Sequence, residues 1–254
     1  MAIVVHYEYE KAAAAVRSIE KWTGPAISKK IYIIDNSESA GEGQEEFKRF
    51  LSGYGDIEYI PDPSNPGFGA GQNKVLGRLD SQYHAIVNPD ILLTEDVFSS
   101  MISFLDQNPD VGMVAPRLLD EEGNLQKAYR KDPTVLDMGL RMFCKGHFQK
   151  RQDAHTLQDQ DYGKVFDVPF AQGSFLVVRT SLFQEIGGFD ERYFLYMEDA
   201  DLCRRVREKA RVVYYPGASV VHKWERGSHK NPRLFREHVK SMKKYFKKWG
   251  MRWK

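Results

Sequence analysis

Cysteine is scarce in this sequence of 254 residues, and long apolar runs are missing. Two cysteines, Cys144 and Cys203, cannot supply the framework of a disulfide-stabilised secreted domain, so we expect a reducing, cytoplasmic setting. No apolar run approaches the ~18 residues that a membrane-spanning helix needs. Met1 to His6 form a short apolar run with no basic segment before it, which predicts a first strand rather than a signal peptide. Internal repeats and low-complexity linkers are also missing, so we expect one compact domain.

Charge is distributed unevenly, although the formal net charge is only +2. Residues 222–254 contain 12 Lys and Arg against 2 Asp and Glu, whereas the preceding residues contain 25 against 33. The acidic body argues against a nucleic-acid-binding face. The basic tail indicates an anionic partner, for which a membrane surface is one candidate.

Short apolar segments alternate with amphipathic segments through the first 115 residues. Because strands separated by helices at this spacing form parallel sheets, the pattern predicts an α/β fold. The predicted strands are residues 3–6, 30–34, 57–60, 83–87 and 112–115, and the predicted helices are residues 8–22, 44–51, 67–79 and 95–107.

The regular alternation ends near residue 120. Residues 120–124 read Asp-Glu-Glu-Gly-Asn, which predicts a tight turn. Residues 131–164 are polar and rich in Gln, Asp and His, so we expect an irregular, mobile excursion over a functional site. Further strands are predicted at 165–168, 174–178, 211–215 and 219–221, and further helices at 180–187, 199–208 and 232–249.

Several predicted strands end on residues that can bind ligands. Asp35 follows the strand at 30–34, and Asp90 follows the strand at 83–87 after Asn88. Ligands of open α/β sheets bind beyond the carboxyl ends of strands, which is the functional interpretation of these acids. Asp is also a common turn residue, which is the structural interpretation, and for Asp35 the two are balanced. For Asp90 the functional one is stronger, because Asn88 adds an amide oxygen, and such oxygens bind Mg²⁺ or Mn²⁺. His222 follows the last predicted strand. A lone histidine there is more often structural, but near Asp90 it would be a credible further ligand.

A glycine-rich segment, Asn65-Pro-Gly-Phe-Gly-Ala-Gly-Gln-Asn73, opens the third predicted helix. Its three glycines let backbone N–H groups approach an anionic ligand. The segment has neither Rossmann spacing nor the Lys-Ser/Thr of a P-loop. A tight strand-to-helix turn is the structural alternative, and the position beside the strand-end acids favours ligand binding.

Three acids, Glu198, Asp199 and Asp201, lie where an aromatic segment becomes helical. Acids in a first helical turn offset the helix dipole, which is a structural explanation for them. It does not explain the aromatic residues of the preceding stretch, 193–196. Aromatic side chains exclude water, and a carboxylate in such surroundings can act as a general base, so this stretch points to an enzyme.

These motifs, in this order, resemble those of the family 2 inverting glycosyltransferases of the GT-A fold, and among them the bacterial rhamnosyltransferase-like branch. The resemblance covers residues 3 to about 246, nearly the whole chain. The stretches that carry it are Ile33-Ile-Asp-Asn-Ser37, Asn65 to Asn73, Val87-Asn-Pro-Asp-Ile91, Gly173-Ser-Phe-Leu-Val-Val-Arg179, Gly187-Gly-Phe-Asp-Glu191, Tyr196-Met-Glu-Asp-Ala-Asp-Leu202, and Val220-Val-His222 with Gly227-Ser228.

The resemblance implies a role for each matching residue. Asp199 would be the general base, and the acceptor would bind near Asp190, Glu198 and Gly173. Asp90, as the last position of a DxD-like motif, and His222 would hold Mg²⁺ or Mn²⁺. The nucleotide-sugar would contact His6, Tyr7, Asp35, Asn65, Gly67, Gly71, Asn73 and Asn88.

Two departures from the family pattern accompany the resemblance. Asn88 stands at the first acid of the DxD pattern, a variant associated with the rhamnosyltransferase-like branch, so a lower metal affinity is expected. Residues 5–8 read Val-His-Tyr-Glu where relatives usually carry Thr-Tyr-Asn, so the contacts to the nucleotide would differ in detail.

The resemblance also implies an architecture and a reaction. Residues 1–254 would form a single-domain α/β/α sandwich of GT-A type with a mostly parallel central sheet. Residues 1–116 would bind the nucleotide-sugar, residues 117–230 the acceptor, and residues 231–254 would form a basic C-terminal helix. The donor would be dTDP-rhamnose or, second, a UDP-hexose. The acceptor would be a saccharide or a lipid-linked saccharide of a bacterial surface polysaccharide, reached from the inner face of the cell membrane, and no nucleic acid would take part.

Two alternatives remain open at this point. A sugar nucleotidyltransferase should carry a glycine-rich basic loop directly after the first strand. This chain has His6-Tyr-Glu-Tyr-Glu10 at that place, which counts against this alternative. A non-catalytic nucleotide-sugar-binding scaffold is disfavoured because both Asp90 and Asp199 are present.

Apolar residues in the last predicted helix recur at steps of three and four, at Phe235, Val239, Met242, Phe246 and Trp249. We expect this stripe to pack on the core. The other faces carry mostly Lys and Arg, for which solvation is the simple explanation. The functional explanation is a basic amphipathic helix on an anionic bilayer, at ~1 kcal/mol per basic residue near the surface.

Overall fold

The computed structural model describes residues 1–39, 41–126, 128–143, 147–223 and 232–253. Cys144 and the Gly227-Ser228 stretch lie outside these residues. The strands are β1 (Ala2–Val5), β2 (Ile31–Asp35), β3 (Ile57–Pro61), β4 (Tyr83–Val87), β5 (Ile91–Leu93), β6 (Val111–Leu119), β7 (Tyr129–Arg130), β8 (Phe166–Asp167), β9 (Phe170–Ala171), β10 (Phe175–Arg179) and β11 (Arg211–His222). The helices are α1 (Tyr9–Trp22), α2 (Glu42–Leu51), α3 (Phe68–Asn73), α4 (Val97–Gln107), α5 (Val135–Phe143), α6 (Gln149–His155), α7 (Thr180–Glu185), α8 (Glu198–Arg207) and α9 (Pro232–Trp249).

One large sheet organises the fold, with the strand order β3-β2-β1-β4-β10-β6-β11-β5 and with β8 paired to β11. The first four strands in this order are parallel, as the alternating sequence predicts. β10 is antiparallel to both of its neighbours, β4 and β6, and β6 is parallel to β11. The α/β fold class is confirmed, and the sheet is mixed because β10 is antiparallel to both of its neighbours and because β5 and β8 are antiparallel to β11.

The core lies between this sheet and its covering helices. β1 and β2 are buried along their whole length, which explains why they read as continuous apolar runs rather than as alternating patterns. α1 buries an Ala-rich face with Val16 and Ile19, so its backbone packs closely against the sheet.

The structure departs from the sequence prediction mainly in the second half. The expectation of an irregular excursion over residues 131–164 is wrong in part, because α5 and α6 form there. Apolar residues spaced along α5 give it an amphipathic character that its polar surroundings mask in the sequence. The predicted helix at 67–79 ends early, at Asn73, and a separate 3₁₀ turn follows at Leu76–Arg78. Strand β5 is too short to stand out as a pattern.

Helix α9 has the predicted bounds, but its buried face is turned from the predicted stripe. Ser241 and Tyr245 are its buried residues, while Phe235, the first member of the stripe, is 39% exposed. Met242, Phe246 and Trp249 do pack against the core. The Ser241 hydroxyl donates to the carbonyl of Leu195, 2.8 Å away, and this polar contact contributes to the orientation of the helix. Among the described residues, no helix combines the length and the apolar character needed to cross a membrane.

Candidate active site

The ends of β4 and β11 bring Asp90 and His222 together. His222 pairs with Ile91 of β5, and the N–H of Lys223 donates to the carbonyl of Asp90, 3.0 Å away. This pairing places Nε2 of His222 3.5 Å from Oδ2 of Asp90. The imidazole is buried, and Oδ1 of Asp90 is a buried oxygen with no hydrogen-bond partner. An orphaned carboxylate oxygen beside a ring nitrogen is a donor set that fits a cation.

A divalent cation bound there would need further ligands. Within the described residues, no group of three or more His, Cys, Asp and Glu side chains could hold a metal ion. Asn88 lies two residues before Asp90 and is partly exposed, so its amide oxygen is available at the same strand end. Mg²⁺ and similar hard cations commonly complete their coordination with water and substrate phosphates, so a sparse protein ligand set is compatible with such an ion.

Gly173 and Ser174 connect this strand end to Asp199. The N–H of Asn88 donates to the carbonyl of Ser174 at 2.8 Å, and the N–H of Gly173 donates to Oδ2 of Asp199 at 3.2 Å. A Cβ atom on Gly173 would lie 3.2 Å from the Cβ of Asp199, so glycine allows the close approach. The strand end that carries Asn88 and Asp90 is therefore connected to the predicted base through two consecutive residues.

Glu198 and Asp199 begin helix α8 directly after a left-handed turn. Tyr196 and Met197 have φ values of 67° and 68°, a conformation that turns the chain sharply before the helix. Glu198 is buried and its Oε2 has no hydrogen-bond partner, whereas Asp199 keeps part of its surface accessible. The two acids are thus adjacent in sequence but differ in their exposure to solvent.

The two carboxyl groups also differ in their ionisation. Burial, and next the charge of Asp199, raise the pKa of Glu198 well above its usual value. Burial raises the pKa of Asp199 as well, but N–H groups of Gly173 and Ala200 and the charge of Arg130 oppose this increase. Since donated hydrogen bonds favour the ionised form, Asp199 is the acid of the pair that ionises more readily, and burial favours the protonated form of Glu198.

Arg130 is a site residue that the sequence reasoning missed. It pairs with Phe170 across β7 and β9, it is largely buried, and its guanidinium lies 5.5 Å from the centre of the Phe170 ring. Its positive charge lowers the pKa of Asp199. The sequence signal that could have identified it is an arginine that directly follows two apolar residues, Ala128 and Tyr129.

Asp190, which the resemblance places near the acceptor, is bound by protein cations. Its Oδ2 lies 2.5 Å from Nη2 of Arg192 and 2.8 Å from Nζ of Lys248 in α9. The hydrogen bond from Arg192, with that from Lys248, lowers the pKa of Asp190 despite its partial burial. In this structure Asp190 therefore connects the segment before α8 to the C-terminal helix.

Asp35 is buried and its carboxylate is surrounded by donors. Oδ2 accepts hydrogen bonds from the Tyr59 hydroxyl at 2.5 Å, Gln44 at 2.8 Å and the Tyr9 hydroxyl at 3.2 Å. Oδ1 accepts from the N–H of Ser37 at 3.0 Å. Burial would raise the pKa of Asp35, but these hydrogen bonds outweigh it and lower the pKa. Asp35 thus organises the end of β2 by holding side chains of α1, α2 and β3.

His6, Tyr7 and Asn65 lie around an acid that the sequence reasoning did not identify, Glu38. Nε2 of His6 lies 3.0 Å from one carboxylate oxygen of Glu38, and the amide of Asn65 donates to the other at 2.8 Å. These hydrogen bonds, from Asn65 first, lower the pKa of Glu38 to about 2. Tyr7 is 47% exposed with φ of 61°, and its hydroxyl lies 3.1 Å from that of Ser39. This exposed group presents an aromatic ring and a carboxylate at the end of β1.

Gly67, Gly71 and Asn73 pack against protein. A Cβ on Gly67, whose φ is 97°, would lie 2.1 Å from the carbonyl oxygen of Phe194, and one on Gly71 would meet Val4. The Asn73 amide donates to the carbonyl of Phe189 and accepts from its N–H, both at 2.8 Å. These contacts support the structural interpretation of the glycine-rich segment, which here holds the loop that leads into α8.

Residues 1–187 match the model of glycosyl transferase family 2. An N-acetylglucosaminyl-diphospho-decaprenol L-rhamnosyltransferase of Mycobacterium tuberculosis is 28% identical over 206 residues, which are 76% of this chain and 66% of that protein. Rhamnosyltransferase WbbL of Escherichia coli is 27% identical over 229 residues, which are 85% of this chain and 81% of the relative. The chain thus spans about two thirds of the length of the mycobacterial protein.

A solved structure of GalNAc-T7 with UDP, GalNAc and Mn²⁺ shares the fold. The two superpose with a TM-score of 0.69 at 14% identity, and the alignment covers 98% of this chain and 48% of that one. At this identity the likeness concerns the fold, which is the GT-A fold.

Proposed function

The chain belongs to glycosyl transferase family 2, and from this premise we propose that it transfers a sugar from a nucleoside-diphosphate donor to an acceptor hydroxyl with inversion. One arrangement carries the proposal: hydrogen bonds of Gly173 and Ser174 connect Asp199 to the strand end that bears the Asp90–His222 pair. A leaving diphosphate and an attacking hydroxyl need groups of these two kinds on opposite sides of the transferred sugar. We assign residues 1–116 to the donor and residues 117–230 to the acceptor.

Asp199 is the proposed general base. A hydroxyl is a weak nucleophile until its proton is removed, and a positioned carboxylate typically contributes ~10²–10⁴-fold in rate. Asp199 is partly accessible, and the N–H groups of Gly173 and Ala200 fix its orientation and favour its ionised form. Glu198, as a buried carboxylic acid, can donate a hydrogen bond to the acceptor without competing for its proton. Direct displacement requires no covalent intermediate on either acid.

Asp90 and His222, with Asn88, are the proposed ligands of Mg²⁺ or Mn²⁺. When bound there, such an ion would neutralise charge on the leaving diphosphate as a Lewis acid. His6, Tyr7, Glu38 and Asn65 are proposed to contact the nucleotide, with Asp35 supporting the neighbouring surface. Both curated relatives described above are named rhamnosyltransferases, which supports dTDP-rhamnose as the donor, before a UDP-hexose. The name of the mycobacterial relative likewise supports a lipid-diphosphate-linked saccharide as acceptor.

Calorimetric titration of dTDP, UDP and GDP, each with and without Mn²⁺, tests the donor site. We expect one nucleotide to bind with a clear dependence on the metal, and that nucleotide narrows the identity of the sugar. Binding of none of the three in either condition would contradict the donor-site assignment.

Replacement of Asp199 by Asn tests the base. Since the amide cannot take up the hydroxyl proton, we expect transfer to fall by at least ~10²-fold while nucleotide affinity stays within a few-fold. Glu198→Gln is the matched control, because it makes the same chemical change at the neighbouring acid. Near-normal turnover of the Asp199→Asn enzyme would refute the base assignment.

We also propose that α9 binds the inner face of an anionic membrane. At 3.6 residues per turn, six exposed cations of α9 fall within about 100° of its circumference. Phe235, in the first turn of the same helix, is 39% exposed. The cations are Arg233, Arg236, Lys240, Lys243, Lys244 and Lys247. Flotation with vesicles that contain or lack phosphatidylglycerol measures the interaction, and equal recovery with both would contradict it.

A further inference from the structure

Gln126 contacts His222 through both ends of its side-chain amide. It follows the tight turn at 120–124, and its Nε2 donates to the carbonyl of His222 at 2.7 Å and to that of Leu119 at 3.3 Å. Its Oε1 lies 2.9 Å from Nδ1 of His222. The two residues are separated by 96 positions in the chain, so the tertiary fold creates the contact.

The two backbone contacts determine the orientation of the amide. Carbonyl oxygens only accept hydrogen bonds, so the group that faces both of them must be the NH₂ of Gln126. Oε1 therefore faces the imidazole, and because an amide oxygen also only accepts, Nδ1 of His222 must carry the hydrogen. In the neutral ring Nε2 then has a lone pair, and this is the nitrogen that lies 3.5 Å from Oδ2 of Asp90.

A divalent cation bound between two facing acceptors in a buried setting would receive a lone pair from each of them. Nε2 of His222 and Oδ2 of Asp90 meet this description, and Oδ1 of Asp90 is a second buried oxygen without a partner. If the imidazole carried its hydrogen on Nε2 instead, the ring would donate to Asp90 and could not offer a lone pair to a metal. The choice of tautomer therefore decides whether the site can bind a cation.

We propose that Gln126 is a positioning residue that holds His222 in its Nδ1–H tautomer and thereby directs the Nε2 lone pair toward a divalent cation shared with Asp90. This inference rests on the proposed function, because it assumes that a cation binds at this strand end. Groups that orient a metal-bound histidine through its other nitrogen commonly affect metal affinity by ~10–100-fold.

Two substitutions separate positioning from packing. Gln126→Met keeps the length of the side chain but neither donates nor accepts, so we expect Mn²⁺ affinity to fall ~10–100-fold. Gln126→Glu loses the donated hydrogen bonds but keeps an acceptor for Nδ1–H, so we expect it to retain most of the affinity. Gln184→Met is the matched control, because the Gln184 amide also donates to two backbone carbonyls, at 3.1 and 3.0 Å, but contacts Leu76 and Leu79. Affinity is measured by electron paramagnetic resonance of free Mn²⁺, with and without dTDP.

The tautomer is measured separately, without metal, from the ¹⁵N chemical shifts of the His222 ring, assigned with a His222→Gln variant. We expect Nδ1–H in the wild-type protein, in Gln126→Glu and in Gln184→Met, and a mixture with Nε2–H in Gln126→Met. Wild-type affinity together with an unchanged tautomer in Gln126→Met would overturn the proposal, as would an equal loss of affinity in Gln184→Met. If the wild-type protein binds no Mn²⁺, the proposed cation site is refuted. The ¹⁵N shifts still show whether Gln126 determines the tautomer of His222.

Discussion

Two adjacent lysines of α9 have opposite surroundings, and replacing each by Met tests how the helix is used. Nζ of Lys248 lies 2.8 Å from Asp190 and 2.7 Å from Asp201, whose side chain is 0% exposed. Lys247 is exposed and forms no ion pair within the described residues. Both substitutions remove one positive charge and keep an apolar stem of similar length, so any difference between them reflects position.

The loss of folding stability expected for Lys248→Met depends on the partners that remain to Asp201. Loss of one partner from a buried ion pair costs about 3–5 kcal/mol. Lys248 is 20% exposed, and Asp201 keeps Arg205 and the Trp249 indole N–H, each at 2.7 Å, so we discount this to about 2 kcal/mol. For a chain of this size that loss lowers Tm by about 4–8 °C. Lys247→Met should change the free energy of unfolding by less than about 0.5 kcal/mol.

Thermal unfolding followed by circular dichroism measures the first difference, and vesicle flotation measures a second, opposite one. Lys247 belongs to the cationic face, so its replacement should weaken binding to anionic vesicles by about fivefold, equivalent to ~1 kcal/mol. Lys248 faces the protein, so its replacement should leave vesicle binding nearly unchanged at temperatures where the protein is folded. Equal losses of Tm in the two variants would refute the assigned role of Lys248, and equal vesicle binding would refute that of Lys247.

Three further outcomes follow from the buried titratable groups. Glu198→Gln should retain most of the transfer rate, because burial and the charge of Asp199 favour the protonated form of the carboxyl group that it replaces. A loss of kcat as large as that of Asp199→Asn would contradict this. Transfer should decline as pH falls through the raised pKa of Asp199, and Arg130→Gln should move this decline in the kcat/KM profile to higher pH, because it removes a charge that lowers that pKa. His84 is fully buried against Phe183, and burial lowers its pKa well below 6.5, so the unfolded chain binds a proton below pH 6.5 that the folded protein does not. Between pH 7.5 and 5.5 this costs about 1.4 kcal/mol of folding stability, and urea unfolding should show a correspondingly smaller loss for His84→Leu.

The sequence predicts the first half of the fold well because its signals there are local. Strands buried on both faces give continuous apolar runs, and an Ala-rich amphipathic segment gives α1. The ends of these strands identify Asp35 and Asp90 as candidates because residues at the carboxyl ends of parallel strands share one edge of the sheet. The turn at 120–124 is likewise local: the N–H groups of Glu122 and Asn124 donate to the side chain of Asp120.

The remaining site residues depend on contacts between distant parts of the chain. Gln126 reaches His222 only because β6 and β11 are neighbours, and Arg130 reaches Asp199 only because β7 pairs with β9 beside α8. No periodicity within either segment encodes these partners. The face of α9 that packs on the protein also depends on distant contacts. Hydrophobic spacing predicts the helix, but it does not predict the polar contacts of Lys248 and Trp249 with Asp201.

Helix α8 links the proposed base to the proposed membrane helix. Residues two positions apart on a helix point in nearly opposite directions, about 200° around the axis. Asp199 accordingly faces Gly173 and the strand-end site, whereas Asp201 faces Lys248 and Trp249 of α9. Because one rigid turn of helix carries both carboxylates, a displacement of α9 would be transmitted to the first turn of α8, where Asp199 is held. The proposed membrane helix and the proposed base are therefore parts of one packed unit, which would align the site with an acceptor presented at the bilayer surface.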